Sequence, residues 1–416
     1  MCPNWFLPGD RRTVTLGQRL AAVVGDELAL RSSEAVCKSC GGKGLVGFYE
    51  ATSLPVQTTV LLGSKAEAEA YPVGDLVLGL CSECGLIQNT LYDADLVDYS
   101  KPTEESQAFS PKFQAFVREL ADHLVSTYQL EGKSVLEVGS GKGEFLALLA
   151  ERGIGHGIGL DPGFMPTRDI DHPNLEFIRE EYDAARNHMT ADLVVARHFM
   201  EHVPNVGDFF GWLAESVAAT DGGALYVEVP DTSRILTEGA FWDVYYEHCS
   251  YFTLESIAGA LARAGLRPTS LKLGYENQVL MTEAVVDPGP LTLLDVDLSR
   301  LEDDVVGFAG RAHEMVGSWR RRIGSHLENG EAVALWGGSS KAVAFLSTIG
   351  VGPVSVVDIN PHKQGMWLPG VGVEVTSPEV LQDLRPALVI PMNPIYVEEI
   401  RADLRRLGLD PAIRPV

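Results

Sequence analysis

Acid–base groups crowd into one stretch of the chain, FWDVYYEHCSYFT at 241–253. Two acids, three tyrosines, a histidine and a cysteine fall there among apolar side chains. Histidine suits proton abstraction because its unperturbed pKa lies near neutrality. His248 is therefore a candidate general base, with Glu247 and Tyr245 as candidate partners. A helical turn would set Tyr245 and His248 on one face. The bland alternative is a packing segment whose polar groups satisfy one another.

A second concentration is VLEVGSGKGEF, Val135–Phe145. A short apolar run carries Glu137, then Gly139, Gly141 and Gly143 alternate before helix-forming residues. The order reads as strand, tight turn and helix start. Glycines suit such a turn because a ligand must approach the backbone with no Cβ in the way. A dinucleotide site would want G-x-G-x-x-G with a pyrophosphate on the helix N-terminus. Here Glu144 stands where the third glycine belongs, and an acid there repels a pyrophosphate. The pattern E-x-G-x-G-x-G instead resembles motif I of class I S-adenosylmethionine (SAM) methyltransferases. SAM carries a sulfonium and an ammonium, which nearby carboxylates favour. Asp161, at the end of the next strand (GHGIGLDPG), can accept both ribose hydroxyls. An empty structural turn is the remaining reading.

Four of the six cysteines form two C-x-x-C pairs, Cys37/Cys40 and Cys81/Cys84. Two such knuckles can surround one tetrahedral zinc. Four protein ligands leave no open position, so the expected metal role is structural. A redox C-x-x-C would stand alone beside a βαβ unit.

The elements that must position these residues follow. Residues 131–230 alternate strand and helix, as in a doubly wound α/β sheet. Ligands bind such sheets at the carboxyl ends of the strands. That puts the Gly139 turn, Asp161, Arg179–Tyr182 and Arg197–His202 on one rim, with Arg197 and His198 beside the cofactor or acceptor. His198 and His202 lack the H-E-x-x-H order of a catalytic zinc helix. The stretch 91–115, with Tyr99 in a loop, is either a linker or a flap over the site. A helix is expected after Ser110-Pro111. PGPLTLLD breaks the pattern near 290, and apolar steps of three and four from Leu301 to Leu327 describe one long helix. VALWGGSSKAVAFL repeats strand, glycine turn and helix. Its Gly337-Gly338-Ser339-Ser340 turn and Lys341 could hold an anion, although G-x-x-x-x-G-K is absent. The expected units are an N-terminal extension at 1–36 with a short helix or strand near Gln18–Leu30, a zinc module at 37–100, a SAM domain at 101–290, a linking helix at 291–328 and a Rossmann-like α/β domain at 329–416.

At 416 residues the chain is long enough for two or three cores. Its net charge of −24 argues against a nucleic-acid partner. It has no apolar run long enough to span a membrane, and its first residues lack the order of a signal peptide, so a cytoplasmic location is expected.

Taken together, the four-cysteine module, the E-x-G-x-G-x-G turn, Y-x-E-H followed by Tyr-Phe, and the terminal G-x-x-x-K and V-D-x-N-P-x-K-Q-G segments resemble the sugar C-methyltransferases of deoxysugar antibiotic pathways. The resemblance implies a nucleotide-linked 4-keto-6-deoxysugar acceptor, methylated at C-3 through an enolate. By that pattern His248 matches the base and Glu247 would orient it. Tyr245 and Tyr99 would contact the sugar oxygens. The terminal domain would hold the nucleotide diphosphate, with Ser339, Ser340 and Lys341 as candidates. The same architecture could methylate oxygen or nitrogen of another small metabolite.

Overall fold

The structure is a computed structural model that describes residues 15–165, 170, 172–180, 189–286 and 298–416. The first residues of the N-terminal extension, Glu181 and Tyr182 on the expected rim, and the PGPLTLLD break lie outside the described residues. So does the start of the expected linking helix at 291–297.

Three sheets carry the chain. The first has four strands in the spatial order Val46–Pro55, Val73–Leu80, Ile87–Asn89 and Ser250–Tyr251, each antiparallel to its neighbour. One C-x-x-C knuckle precedes its first strand, and the other joins its second strand to its third. The fourth is contributed from far along the sequence, immediately after His248. Near Gln18–Leu30 the chain forms two helices, Leu16–Val24 and Asp26–Arg31. The apolar continuation after Pro55 leaves the sheet and makes only isolated bridges, Val60 to Thr103 and Leu62 to Trp367.

The central sheet has seven strands. Five are parallel: Ser134–Val138 in the middle, His156–Leu160 and Leu175–Ile178 on one side, Leu193–Arg197 and Ala224–Pro230 on the other. An antiparallel hairpin, Leu266–Gly274 with Val279–Val286, completes the far edge. Both faces are covered, so Val135, Leu136 and Val138 are all buried. That is why the strand reads as a continuous apolar run and not as an alternation. Helix Pro111–Tyr128 starts where expected: the Ser110 hydroxyl accepts from the Phe113 N–H, and Pro111 takes a position that needs no donor.

The C-terminal sheet is wholly parallel, in the order Val375–Thr376, Ser355–Val357, Val333–Trp336, Leu388–Pro391 and Ala412–Ile413. The first strand in sequence lies in the middle, the second and third to one side, the fourth and fifth to the other. The parallel part of the central sheet has the same order.

One helix, Ser299–Glu328, joins the sheets. It buries Leu301, Val305, Phe308, Ala312, Trp319 and Ile323 along one stripe. Met315 and Leu327, expected on that stripe, are only partly buried. Phe308 packs edge-on to Phe48 and Tyr49 of the first sheet, while Trp319 packs on Phe345 of the C-terminal unit.

Candidate active site

A cleft of about 1170 Å³ runs between the carboxyl ends of the central strands and those of the C-terminal sheet. Of the residues singled out from the sequence, Glu137, Gly139, Gly141, Asp161, Arg197, His198, Tyr245, Glu247, His248, Ser339, Ser340 and Lys341 line it, whereas Gly143, Arg179 and Glu180 do not.

On the central side the glycine turn is conformationally required. Gly139, Gly141 and Gly143 all have positive φ, at 71°, 53° and 77°. A Cβ on Gly139 would lie 2.4 Å from the Phe199 ring, and one on Gly143 2.5 Å from Phe177. The turn is latched to the next strand by Asp161. Its Oδ2 accepts from the Gly141 N–H at 2.9 Å and its Oδ1 from the Gly163 N–H at 2.7 Å. Glu137 is 3% exposed, and its Oε2 has no hydrogen-bond partner. Burial pushes its carboxyl up to about 8, against the nearby Arg197. A lone buried carboxylate oxygen beside the turn fits a cationic guest.

Arg197 and His198 turn toward a buried acid. Arg197 donates to Glu228 Oε1 at 2.8 Å and lies 4.4 Å from the Phe145 ring centroid. His198 has left-handed φ of 49° and contacts both Glu228 and Glu201. Burial alone would lower the His198 pKa, but these carboxylates hold it up at about 9. Burial likewise opposes ionisation of Glu228, and Arg197 followed by His198 outweighs it, down to about 2.

The 241–253 stretch is not a helix past its first turn, Phe241–Asp243. An irregular loop nevertheless brings the expected rings together. The His248 ring centroid lies 4.6 Å from that of Tyr245 and 4.8 Å from that of His202. His202 Nδ1 in turn meets the Tyr99 hydroxyl at 3.0 Å. Burial holds His248 well below the usual histidine range, and the neighbouring His202 adds to this. That shift favours the neutral imidazole, the form a base needs. Glu247 is tied to the Thr58 segment: its Oε1 accepts from the Thr58 N–H at 3.0 Å and from the Thr58 hydroxyl. Burial pushes Glu247 up to about 7. The Tyr245 hydroxyl donates to Asp243 at 3.0 Å. Asp243 also holds Arg234 and Lys341, so Lys341 has a carboxylate partner. Sequence reasoning overlooked Arg234 and Thr58 as site residues and gave no individual role to Glu201, His202 and Asp243. Glu201-His202 was visible on the rim, but nothing local marked Thr58, which arrives from a distant part of the chain.

Segment 98–110 forms a strap over both sides of the cleft. Glu105 Oε1 lies 3.0 Å from where a Gly141 Cβ would be, and the Tyr99 carbonyl 2.7 Å from that position on Gly163. The Ser106 hydroxyl donates to Glu144 at 2.7 Å, and Glu104 accepts from Asn360 of the C-terminal unit at 3.0 Å.

Away from the cleft, Cys37, Cys40, Cys81 and Cys84 converge, with all four sulfurs within 4.8 Å of one another. Cys37 and Cys84 are 3.5 Å apart, Cys40 and Cys81 3.7 Å. A tetrahedron with Zn–S of about 2.3 Å has edges of about 3.8 Å, so the four thiols fit that ion. Hydrogen bonds from Cys81 and then Cys84 lower the Cys37 thiol pKa, which favours the thiolate a metal ligand needs. Among the described residues one further group has ligand-like proximity, Glu201, His202 and His248 in the cleft wall.

This turn, acid and parallel sheet define a SAM-dependent methyltransferase. The family model for a methyltransferase domain matches residues 112–271, and that for a C-methyltransferase C-terminal domain matches residues 300–409. The chain is similar to C-methyltransferase NovU of Streptomyces niveus, at 26% identity over 365 residues, spanning 82% of this chain and 86% of that protein. Among solved structures, magnesium protoporphyrin IX methyltransferase of Synechocystis PCC 6803 is 17% identical and covers 42% of this chain and 84% of its own, at a TM-score of 0.34. A putative SAM-dependent methyltransferase of Listeria monocytogenes is 13% identical, covering 42% and 99%, at 0.35.

Proposed function

We propose that the enzyme methylates C-3 of a nucleotide-linked 4-keto-deoxysugar through an enolate, as one step of natural-product biosynthesis. The observation that carries this is a buried imidazole, His248, packed against Tyr245 and His202 in a cleft that also bears a SAM-type glycine turn and a second glycine turn opposite. SAM supplies an electrophilic methyl group on a sulfonium. Glu137, the Gly139–Gly143 turn and Asp161 would hold it, with Arg197 and His198 fixing the buried acids around it.

The acceptor's ketone acidifies the neighbouring C–H. His248 takes that proton and becomes imidazolium, and the C–H electron pair moves into the enolate. The enolate carbon then attacks the methyl carbon in line. The C–S bond breaks with its electrons on sulfur, S-adenosylhomocysteine leaves, and His248 returns its proton to solvent. Tyr245 and Tyr99 would meet the sugar oxygens, Tyr99 positioned by His202. Donors aimed at the enolate oxygen contribute to the rate where water is excluded. Glu247, tied to Thr58, would fix the loop that carries His248. Ser339, Ser340 and Lys341 would face the diphosphate. The four cysteines would hold a structural zinc.

The test is deuterium exchange at C-3 of a nucleoside-diphosphate-linked 4-keto-6-deoxysugar. Wild-type enzyme should exchange this hydrogen and transfer methyl to carbon. His248→Ala should lose both by a factor of about 10²–10⁴. Unimpaired exchange and turnover in His248→Ala, or an O- or N-methylated product, would refute the proposal.

A further inference from the structure

Three elements of the chain meet at one carboxylate in the cleft wall that the proposed chemistry leaves unused. Asp243 closes the short turn Phe241–Asp243 and is 6% exposed. Its Oδ2 accepts from Arg234, on the helix Thr232–Glu238, at 2.7 Å. Its Oδ1 accepts from Lys341, on the helix Ser340–Ile349 of the C-terminal unit, and from the Tyr245 hydroxyl at 3.0 Å. Burial opposes the charge on Asp243, but Lys341 and then Arg234 hold its carboxyl well below the usual carboxylate range. An ionised carboxylate can only accept, so each of these three bonds has a fixed direction.

That direction decides what Tyr245 can offer a guest. A phenol has one proton to give and lone pairs that accept. Burial and then the Asp243 charge hold the Tyr245 phenol well above its usual range, so it keeps its proton and gives it to Asp243. The backbone of Tyr245 is held as firmly. The Tyr251 hydroxyl accepts from the Tyr245 N–H at 3.1 Å and donates to the Tyr245 carbonyl at 3.0 Å. The Tyr245 ring lies edge-on to that of His248, with centroids 4.6 Å apart. Tyr245 therefore lines the cleft beside the candidate base with an oxygen able only to accept. Such an oxygen repels a ketone or enolate oxygen and suits a hydroxyl.

We propose that Asp243 is a positioning residue that fixes Tyr245 as a hydrogen-bond acceptor, and that this pair selects a substrate sugar bearing a hydroxyl on or beside the methylated carbon. The hydroxyl donates to the Tyr245 oxygen, and the enolate oxygen is left to other donors. Because Lys341 shares the same carboxylate oxygen, the C-terminal unit takes part in holding the pair. This rests on the substrate being a keto-sugar, and it names what reads its hydroxyl.

The test compares kcat/KM for a nucleoside-diphosphate-linked 4-keto-6-deoxysugar with that for its 2-deoxy and 3-deoxy analogues. Wild-type enzyme should favour the parent over at least one analogue by about tenfold or more, because loss of that hydroxyl leaves the fixed oxygen unpaired. Tyr245→Phe and Asp243→Asn should each cut that preference to about twofold or less. The double variant should be no worse than Tyr245→Phe alone, since Asp243 acts through Tyr245. Each variant should bind S-adenosylhomocysteine within about twofold of wild type. A purely structural role for Asp243 would instead slow all three sugars alike and leave the preference intact. Asp243→Glu keeps both cations paired but moves the carboxylate by one methylene. It should lose the preference too, which keeps the test decisive should Asp243→Asn misfold. If wild type turns over all three sugars alike, or a folded Asp243 variant keeps the preference, this assignment is wrong while the keto-sugar reading stands. If wild type turns over none of them, both readings fall.

Discussion

At the scale of single residues, the cleft gathers groups whose charge depends on their surroundings. Glu137 is the sharpest case. Its folded pKa is about 8 against an ordinary 4.5. Over that window the folded chain without a bound cation keeps a proton that the unfolded chain has released, so this group makes stability fall as pH rises. A bound cation reverses the balance by favouring the carboxylate. SAM affinity should therefore rise from about pH 6 to about pH 8, by up to about tenfold per unit, and level off above. Titrations in buffers of different ionisation enthalpy should detect the released proton. Glu137→Gln should bind more weakly and flatten the profile; a flat profile in wild type would mean that the carboxyl does not face the cofactor. Asp161 and the three glycines were legible in the sequence because the turn imposes their types. The roles of Asp243 and Thr58 were not, because each becomes a partner only through the fold.

At the scale of elements, the cysteine group is coupled to His248 through a strand pairing. Ile87–Asn89, just beyond the second knuckle, pairs with Ser250–Tyr251. The Asn89 N–H donates to the Cys249 carbonyl at 3.1 Å, and its side chain donates to the Tyr246 carbonyl at 3.3 Å. Loss of a metal held by these thiols should therefore disturb the loop that carries His248 as well as the module. Cys40→Ala should lower zinc content measured by mass spectrometry, speed amide exchange in 245–251 and reduce methyl transfer. Full turnover by a zinc-free protein would disprove the link. This cross-sheet strand was not readable from the sequence, since two residues carry no periodicity of their own. The same limit explains the 241–253 loop. Helical spacing correctly grouped Tyr245 with His248, but for the wrong reason: packing against His202 and the Thr58 segment brings the rings together, not a helical repeat. By contrast, the long helix, the SAM-side strands and the C-terminal glycine turn had patterns strong enough to read, because each buries a continuous stripe or run.

At the scale of the whole molecule, one apolar core runs from the first sheet through the long helix into the C-terminal sheet. Phe308 is fully buried at the middle of this path. Phe308→Ala should cost about 3–5 kcal/mol and lower the melting temperature of the whole chain in a single transition. Independent melting of the C-terminal unit, followed by calorimetry, would contradict that coupling. The order of the two parallel sheets could not be read from the sequence beyond their class, because strand order is decided by how helices pack and not by any one strand. The strap at 98–110 has a kinetic consequence. It rests on the methyl-donor turn through Glu105 and on the opposite unit through Glu104, so both guests share one doorway. If the cleft takes a methyl donor on one side and an acceptor on the other, both products must leave past that one segment, and traffic through that doorway, rather than bond-making, would set the pace of the cycle.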